Sequence, residues 1–292
     1  LLACRNIVQA WDYACQVEGT PEQQNKAVED GKKKYVGYEL PGRTLGVVGL
    51  GAIGVYVANA AVALGMRVVG FDPTITVKSA WKMSSEVQEM PSVDELVKQS
   101  DFVTFHVPLL DSTQHLLNAR RIASMKDGAV VLNFARDGIV DEEAVLNALD
   151  SGKLGAYVSD FPAPELKGNS RVITLPHLGA STIEAEENCA IMVADQIMDF
   201  LENGNIRNSV NFPEIKLARI GDVRLAIANE NRPDMVAQIS HVLGQAGVNI
   251  HHMRNESRGE LAYTLMDLDE GIDDDTLSQI NAIDGVLSAR QI

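Results

Sequence analysis

The stretch TLGVVGLGAIG, residues 44–54, decides the fold of the first part of the chain. A short apolar strand runs into a glycine turn, and VYVANAAVAL then continues with helical periodicity. Gly49 permits the tight turn, Gly51 lets a pyrophosphate approach the backbone, and Gly54 allows close packing of the helix. Because a helix N-terminus also attracts anions, the stretch predicts a dinucleotide site. A purely structural glycine turn is the alternative.

Asp72 indicates which dinucleotide this site takes. It ends the second predicted strand, RVVGFD, which follows the glycine-rich helix. A carboxylate at this position accepts hydrogen bonds from the adenosine ribose hydroxyls and repels a 2′-phosphate. The sequence therefore predicts NAD rather than NADP as the cofactor.

Strands and helices alternate through the first two thirds of the chain. Near-continuous apolar strands separated by helices predict an α/β fold with a Rossmann-type, doubly wound parallel sheet. Ser92, with Glu95 three residues later, predicts a helix start, and Ser181 predicts the start of a long helix that ends near Gly204. The further predicted strands are DFVTFHV (101–107), AVVLNFA (129–135), GAYVSD (155–160) and RVITL (171–175).

The pattern changes after an irregular linker at 203–222. The last part of the chain has the order β-α-β-β-α-β, which is typical of a small ferredoxin-like domain. At 292 residues the chain is long enough for two domains. We expect three parts: 1–185 as the dinucleotide-binding domain with a connecting helix, 186–213 as a helix and extension returning to a substrate domain, and 221–292 as the small domain.

Composition excludes several classes of function. The net charge of −15 argues against binding to a phosphate backbone. Three widely spaced cysteines suit a reducing cytoplasm and provide no metal site, and no apolar run is long enough for a membrane span. We therefore expect a cytoplasmic protein without metal, nucleic-acid or membrane partners. The chain begins without Met, in a stretch typical of an apolar helix interior, which predicts a further segment upstream.

Polar residues follow several of the predicted strands, at the edge where α/β sheets bind ligands. Arg136 could be an ion-pair partner or a clamp for a substrate carboxylate. His177, in LPHLGAST, could cap a turn or act as a general acid/base. Asp160 and Glu165 lie in SDFPAPEL, where two prolines stiffen the loop. A carboxylate beside His177 would stabilise its protonated form, and we expect Glu165 to supply it.

Residues 43–182 resemble the D-2-hydroxyacid dehydrogenase family. The matching stretches are VGLGAIG, FDP, HVPLLDSTQHLLN, NFARDGIVDEEAV, SDFPAPEL and LPHLGAST. The resemblance implies that Arg136, Glu165 and His177 are catalytic. It implies cofactor contacts from Gly49, Gly51, Ala52, Ile53, Gly54, Asp72, Val107, Pro108, Ala135, Arg136, Asp160, His177, Gly179 and Ala180.

The tail is similar to an ACT domain, a module that commonly binds amino acids. Asn231 and Asn249 stand where this module leaves its first strand and enters its second, and we expect them to contact L-serine or another amino acid as effector, in a homodimer or homotetramer. The alternative is that both asparagines only cap turns. For the whole chain the resemblance implies NAD-dependent oxidation of D-3-phosphoglycerate in serine synthesis. Two alternatives stay open: oxidation of another D-2-hydroxy acid, and a non-catalytic sensor of dinucleotide and amino acid. Asp137 departs from the family, where the catalytic Arg is usually followed by Gly.

Overall fold

A seven-stranded parallel sheet organises the first of the two units, Leu1–Gly179, in the computed structural model, which describes residues 1–292. The strand order is β3-β2-β1-β4-β5-β6-β7. From β1 the chain adds strands first on one side, to β3, and then on the other side, from β4 to β7, as in a doubly wound nucleotide-binding sheet. The strands are β1 (Thr44–Val48), β2 (Arg67–Phe71), β3 (Gln88–Glu89), β4 (Phe102–Phe105), β5 (Ala129–Asn133), β6 (Leu154–Ser159) and β7 (Val172–Thr174).

Helices cover this sheet, as the near-continuous apolar strands predict. Two separate groups of buried residues pack on it: one includes Val103, Phe105 and Val131, and the other includes Val47 and Val130. The sheet is therefore buried on both faces, which leaves the ends of its strands as the place where a ligand can bind. The helices are α1 (Leu2–Arg5), α2 (Ile7–Gln16), α3 (Pro21–Gly31), α4 (Gly54–Ala63), α5 (Val77–Ala80), α6 (Val93–Gln99), α7 (Ala119–Ser124) and α8 (Glu142–Asp150).

Helix caps confirm one prediction and correct another. The Ser92 hydroxyl accepts a hydrogen bond from the Glu95 N–H, so α6 starts where the sequence predicts. The long helix α9 (Ile183–Asn203) is capped by Thr182, whose hydroxyl accepts from the Ala185 N–H, and not by Ser181. Both hydroxyl residues suit a cap, and the extended backbone of Thr182 is what places its oxygen over the first turn.

The second unit, Ala180–Ile292, contains α9 and a four-stranded antiparallel sheet. The sheet has the order β11-β8-β10-β9, and with its two helices it forms the predicted β-α-β-β-α-β arrangement. One face carries a core that includes Leu225, Ile239 and Ile280, and residues around Ile206 and Ile215 pack on the other. The elements are β8 (Val223–Glu230), α10 (Met235–Gln245), β9 (Ile250–Arg258), β10 (Leu261–Leu268), α11 (Asp274–Asn281) and β11 (Val286–Gln291).

A buried ion pair joins the linker to this sheet. The guanidinium of Arg224 donates to both carboxylate oxygens of Asp267, at 2.6 and 3.0 Å, and neither side chain is exposed. Arg224 also donates to the carbonyl oxygens of Asn203 and Leu217, each at 2.9 Å. Burial alone would raise the pKa of Asp267, but the bonds and charge of Arg224 hold it below its usual value. Every polar atom of the pair thus has at least one hydrogen-bond partner, as a buried charge pair requires.

The three-part functional division at 1–185, 186–213 and 221–292 stays a prediction. None of the helices is both long and apolar enough to cross a bilayer.

Candidate active site

The predicted site residues of the first unit lie at one edge of the parallel sheet. The carboxyl ends of parallel strands meet at the same edge, so residues that follow different strands are neighbours there. In order of their strands these residues are Gly49 to Gly54 after β1, Asp72 after β2, Val107 and Pro108 after β4, Ala135 and Arg136 after β5, Asp160 after β6, and His177 and Gly179 after β7. Ala180 is exposed and begins the second unit.

The glycine-rich loop has the shape that a dinucleotide requires. Gly49 has a φ of +92°, and a Cβ there would lie 2.6 Å from the His106 carbonyl oxygen. A Cβ on Gly54 would lie 1.9 Å from the Gly49 oxygen, so α4 can pack this closely only with glycine. The space around Gly51 is open, and the α4 N-terminus has no side-chain cap. The free N–H groups and the open space fit a pyrophosphate.

Asp72 is held directly against this loop. One carboxylate oxygen accepts from the Leu50 N–H and the other accepts from the Thr74 N–H, both at 2.8 Å. These bonds fix the carboxylate beside the loop, where the adenosine ribose of NAD would lie. The residues present therefore fit NAD.

His106 packs against the glycine-rich loop, where its backbone is the nearest neighbour of a Cβ placed on Gly49. Its backbone N–H donates to the Val48 carbonyl oxygen at 2.7 Å, and its ring Nε2 lies 3.1 Å from the Thr104 hydroxyl. Burial lowers the pKa of His106 from 6.5 to about 4, so the ring is neutral at physiological pH. The histidine is a structural part of the loop support that the sequence did not single out.

Arg136 has no carboxylate partner. Its guanidinium donates to the carbonyl oxygen of Ala135 at 2.7 Å, and the residue is exposed. An exposed guanidinium without an ion-pair partner can bind a substrate carboxylate with both of its arms.

His177 is paired with Asp160, which is not the carboxylate that we expected beside it. The distance between His177 Nδ1 and Asp160 Oδ2 is 3.0 Å, and Phe161 packs against the imidazole with 5.5 Å between the ring centroids. Asp160 follows β6 and His177 follows the adjacent β7, which brings the two together. The second oxygen of Asp160 is buried and has no hydrogen-bond partner. It can accept a bond from an amide such as the carboxamide of NAD.

Glu165 lies in a short 3-10 turn, Pro164–Leu166, and is exposed. Leu166 anchors the turn in the core, the turn packs against α8, and no ion pair joins Glu165 to His177. Burial raises the pKa of Glu142, the first residue of α8, and the negative charges of Asp137 and Glu165 raise it further. The structure therefore brings Glu142 close to two further acidic residues, Asp137 and Glu165. The catalytic role of Glu165 stays a prediction.

Two buried polar residues beneath the site were missed from the sequence. Asn133 and Ser159 are the last residues of β5 and β6, and each is 1% exposed. Both belong to stretches that the sequence predicts as apolar strands. The available signal was their position, because a polar residue that ends a buried strand just before a functional residue needs a local hydrogen-bond partner.

The two predicted effector residues lie at opposite ends of the four-stranded sheet. Asn231 follows β8, and its side chain donates to the Gly259 carbonyl oxygen at 3.0 Å. Asn249 precedes β9, and its N–H donates to Asp269 at 2.9 Å. Since β8 and β9 run in the same direction, the length of a strand, roughly 25 Å, separates the two asparagines. One chain therefore does not bring them together.

No three His, Cys, Asp or Glu side chains are grouped so that they could hold a metal ion.

Comparison with known proteins identifies the family. Residues 5–181 match the D-isomer specific 2-hydroxyacid dehydrogenase family, in the part described as its NAD binding domain. The chain belongs to this family, and NAD is the cofactor of this domain.

Several proteins with similar sequences are D-3-phosphoglycerate dehydrogenases. The chain is 34% identical to a D-3-phosphoglycerate dehydrogenase of Haemophilus influenzae over 265 residues, which is 87% of this chain and 63% of that protein. It is 32% identical to a D-3-phosphoglycerate dehydrogenase of Escherichia coli over 94% of this chain and 69% of that protein. The chain thus spans less than two thirds of the Haemophilus protein.

Solved structures share the fold. A D-mandelate dehydrogenase of Rhodotorula graminis in its apo form is 29% identical, with a TM-score of 0.59 over 68% of this chain and 58% of that one.

Proposed function

We propose that this chain is the NAD-binding and regulatory part of an enzyme that oxidises D-3-phosphoglycerate to 3-phosphohydroxypyruvate, the entry to serine synthesis. The observation that carries the proposal is the set of Arg136, Asp160 and His177 at the sheet edge that also holds the glycine-rich loop. The names of the similar dehydrogenases support the choice of substrate.

NAD, when bound, supplies the acceptor for the hydride that leaves the substrate carbon. Arg136 binds the substrate carboxylate and orients the carbon that bears the hydroxyl. The Asp160 carboxylate accepts from His177 Nδ1 and so leaves Nε2 free to take the hydroxyl proton as the C=O bond forms. Glu165 is proposed as a further catalytic residue on the family resemblance alone, since Asp160 and not Glu165 contacts His177 here.

The tail is proposed to be an ACT domain at 221–292 that takes L-serine as a feedback effector. An asparagine offers both the acceptor and the donor that an ammonium and a carboxylate need. Because Asn231 and Asn249 are far apart in one chain, we propose that a second copy supplies the other asparagine, in a homodimer or homotetramer. An effector site at such an interface can be coupled to the catalytic cleft.

A second candidate substrate is an unphosphorylated D-2-hydroxy acid. The specific observation in its favour is the acidic group of Asp137, Glu142 and Glu165, in which Asp137 directly follows Arg136 in the sequence, because such negative charge disfavours a phosphate. The similar D-mandelate dehydrogenase fold is consistent with it.

The test is NADH formation by the complete product of the gene. D-3-phosphoglycerate, D-lactate and D-mandelate are each added with NAD, and absorbance is followed at the NADH band. We expect the highest kcat/KM with D-3-phosphoglycerate. A higher kcat/KM with D-lactate or D-mandelate would assign that compound as the substrate instead. NAD binding without turnover of any of the three hydroxy acids would favour a non-catalytic sensor.

A further inference from the structure

Asn133 and Ser159 hold equivalent places in adjacent strands. They are paired in the parallel register of β5 and β6, and each is the last residue of its strand. Beyond them the ladder of strand hydrogen bonds stops and the loops that carry Arg136 and Asp160 begin. Both side chains are buried close to the buried Tyr157 hydroxyl, so their polar atoms need partners inside the protein.

Each side chain binds the backbone of the loop that follows it. The Asn133 side-chain oxygen accepts from the Ala135 N–H at 3.2 Å, and its amide donates to the Arg136 carbonyl oxygen at 3.0 Å. The Ser159 hydroxyl accepts from the Phe161 N–H at 3.0 Å. In both loops a side chain thus replaces the strand partner that the backbone has lost.

These bonds determine where the functional groups point. The Asn133 side-chain amide holds the backbone of Arg136 through its carbonyl oxygen. The Arg136 guanidinium in turn donates to the Ala135 carbonyl oxygen. The hydrogen bond from the Phe161 N–H to the Ser159 hydroxyl spans Asp160, which lies between them in the sequence. Asp160 and Phe161 both contact His177. The two loops are therefore anchored at a fixed separation, the spacing of neighbouring strands.

We propose that Asn133 and Ser159 are positioning residues for the reaction, Asn133 for the carboxylate clamp Arg136 and Ser159 for the Asp160–His177 pair. The inference rests on the proposed function. It assigns the two residues to different steps, because Arg136 acts mainly on substrate binding and His177 acts on proton transfer. A purely structural role would affect both steps together, in proportion to lost stability.

The experiment compares Asn133→Ala and Ser159→Ala with the wild type in the complete gene product. We expect Asn133→Ala to raise KM for the hydroxy acid about 10- to 100-fold, and Ser159→Ala to lower kcat about 10-fold with little change in KM. Ser159→Thr, which keeps the hydroxyl, should restore kcat.

A second variant and a second measurement guard against misfolding. Asn133→Ser replaces the two polar atoms of the amide by one shorter hydroxyl, which can bond to the Ala135 N–H but does not also reach the Arg136 carbonyl oxygen, so its KM should lie between those of wild type and Asn133→Ala. Amide exchange followed by NMR, in the absence of substrate, should be faster at Ala135 in Asn133→Ala and faster at Phe161 in Ser159→Ala.

Unchanged exchange at both amides, or kcat and KM that change together in both variants, would overturn the inference while leaving the proposed function intact. If the wild type oxidises no D-2-hydroxy acid, the proposed function and the inference both fail.

Discussion

The Nδ1 atom of His177 lies 3.0 Å from Oδ2 of Asp160, and the carboxylate is nine-tenths buried while the imidazole is 60% exposed. A buried, charged acceptor therefore holds one nitrogen of a ring whose other nitrogen is open to a substrate. This arrangement gives Asp160 control over the tautomer and the orientation of His177.

Replacing Asp160 by Asn tests this control. The amide keeps the shape but loses the charge, and it can present a donor to Nδ1, so we expect kcat to fall about 100-fold or more. The ring nitrogen signals of His177 in ligand-free protein should also change, as measured by 15N NMR. Glu165→Gln is the matched comparison: it should lower kcat and leave those signals as they are, since Glu165 does not contact His177 here. Identical ring signals in wild type and Asp160→Asn would contradict the pairing.

Asp72 should set the choice of cofactor. Its carboxylate is fixed against the glycine-rich loop, so a 2′-phosphate would meet a negative charge that cannot move away. We expect wild type to bind NADH more tightly than NADPH, and Asp72→Asn to reduce the ratio of the two dissociation constants about tenfold or more. Fluorescence titration with both nucleotides measures the ratio, with exposed Asp111→Asn as control. Equal binding of NADH and NADPH by wild type would refute the assignment.

His106 should make stability depend on pH. Its pKa is lowered to about 4 by burial, so between pH 4 and 6.5 the unfolded chain binds more protons than the folded one. The free energy of unfolding should therefore rise with pH across this window and become independent of His106 above it. The contribution of His106 between pH 5 and pH 7 is at most about 2 kcal/mol.

Urea unfolding at pH 5 and pH 7 measures the effect. His106→Gln, which cannot be protonated, should show a smaller difference between the two pH values than wild type does. The same difference in both proteins would mean that His106 is not a buried neutral ring. His241→Gln is the control, because His241 lies exposed on α10.

L-serine should bind at a site that two chains share. Calorimetry of the whole protein should detect binding by wild type, and Asn231→Ala and Asn249→Ala should each abolish it. Co-expression of the two variants is the sharper test. In a symmetric dimer random pairing would leave about one quarter of the sites with both asparagines intact. No heat at millimolar serine, or no recovery in the mixed dimers, would contradict the shared site.

The sheet and its nucleotide edge could be predicted because local rules determine them. Strand length, apolar runs and the glycine spacing of residues 49–54 are all properties of contiguous sequence. Where two hydroxyl residues compete for one cap, as Ser181 and Thr182 do, pattern alone does not decide, because the backbone angle selects between them.

The partner of His177 could not be predicted in the same way. Asp160 and Glu165 lie in one short loop, and which of them contacts the imidazole depends on the pairing of β6 with β7 and on the burial of Leu166. The separation of Asn231 and Asn249, in contrast, follows from the β-α-β order alone, since a crossover connection makes its two strands run in the same direction.

The bonds around Arg224 have a consequence for cleavage of the chain. Arg224 binds the carbonyl oxygens of Asn203 and Leu217, and Asp267 accepts from the Ile220 N–H, so the segment between residues 203 and 217 is a closed loop tied at its base. A protease that cuts inside this loop would leave both sides of the cut attached to the same buried charge pair. The nicked protein should migrate as one species on a native gel, and its two fragments should separate only when the sheet is denatured.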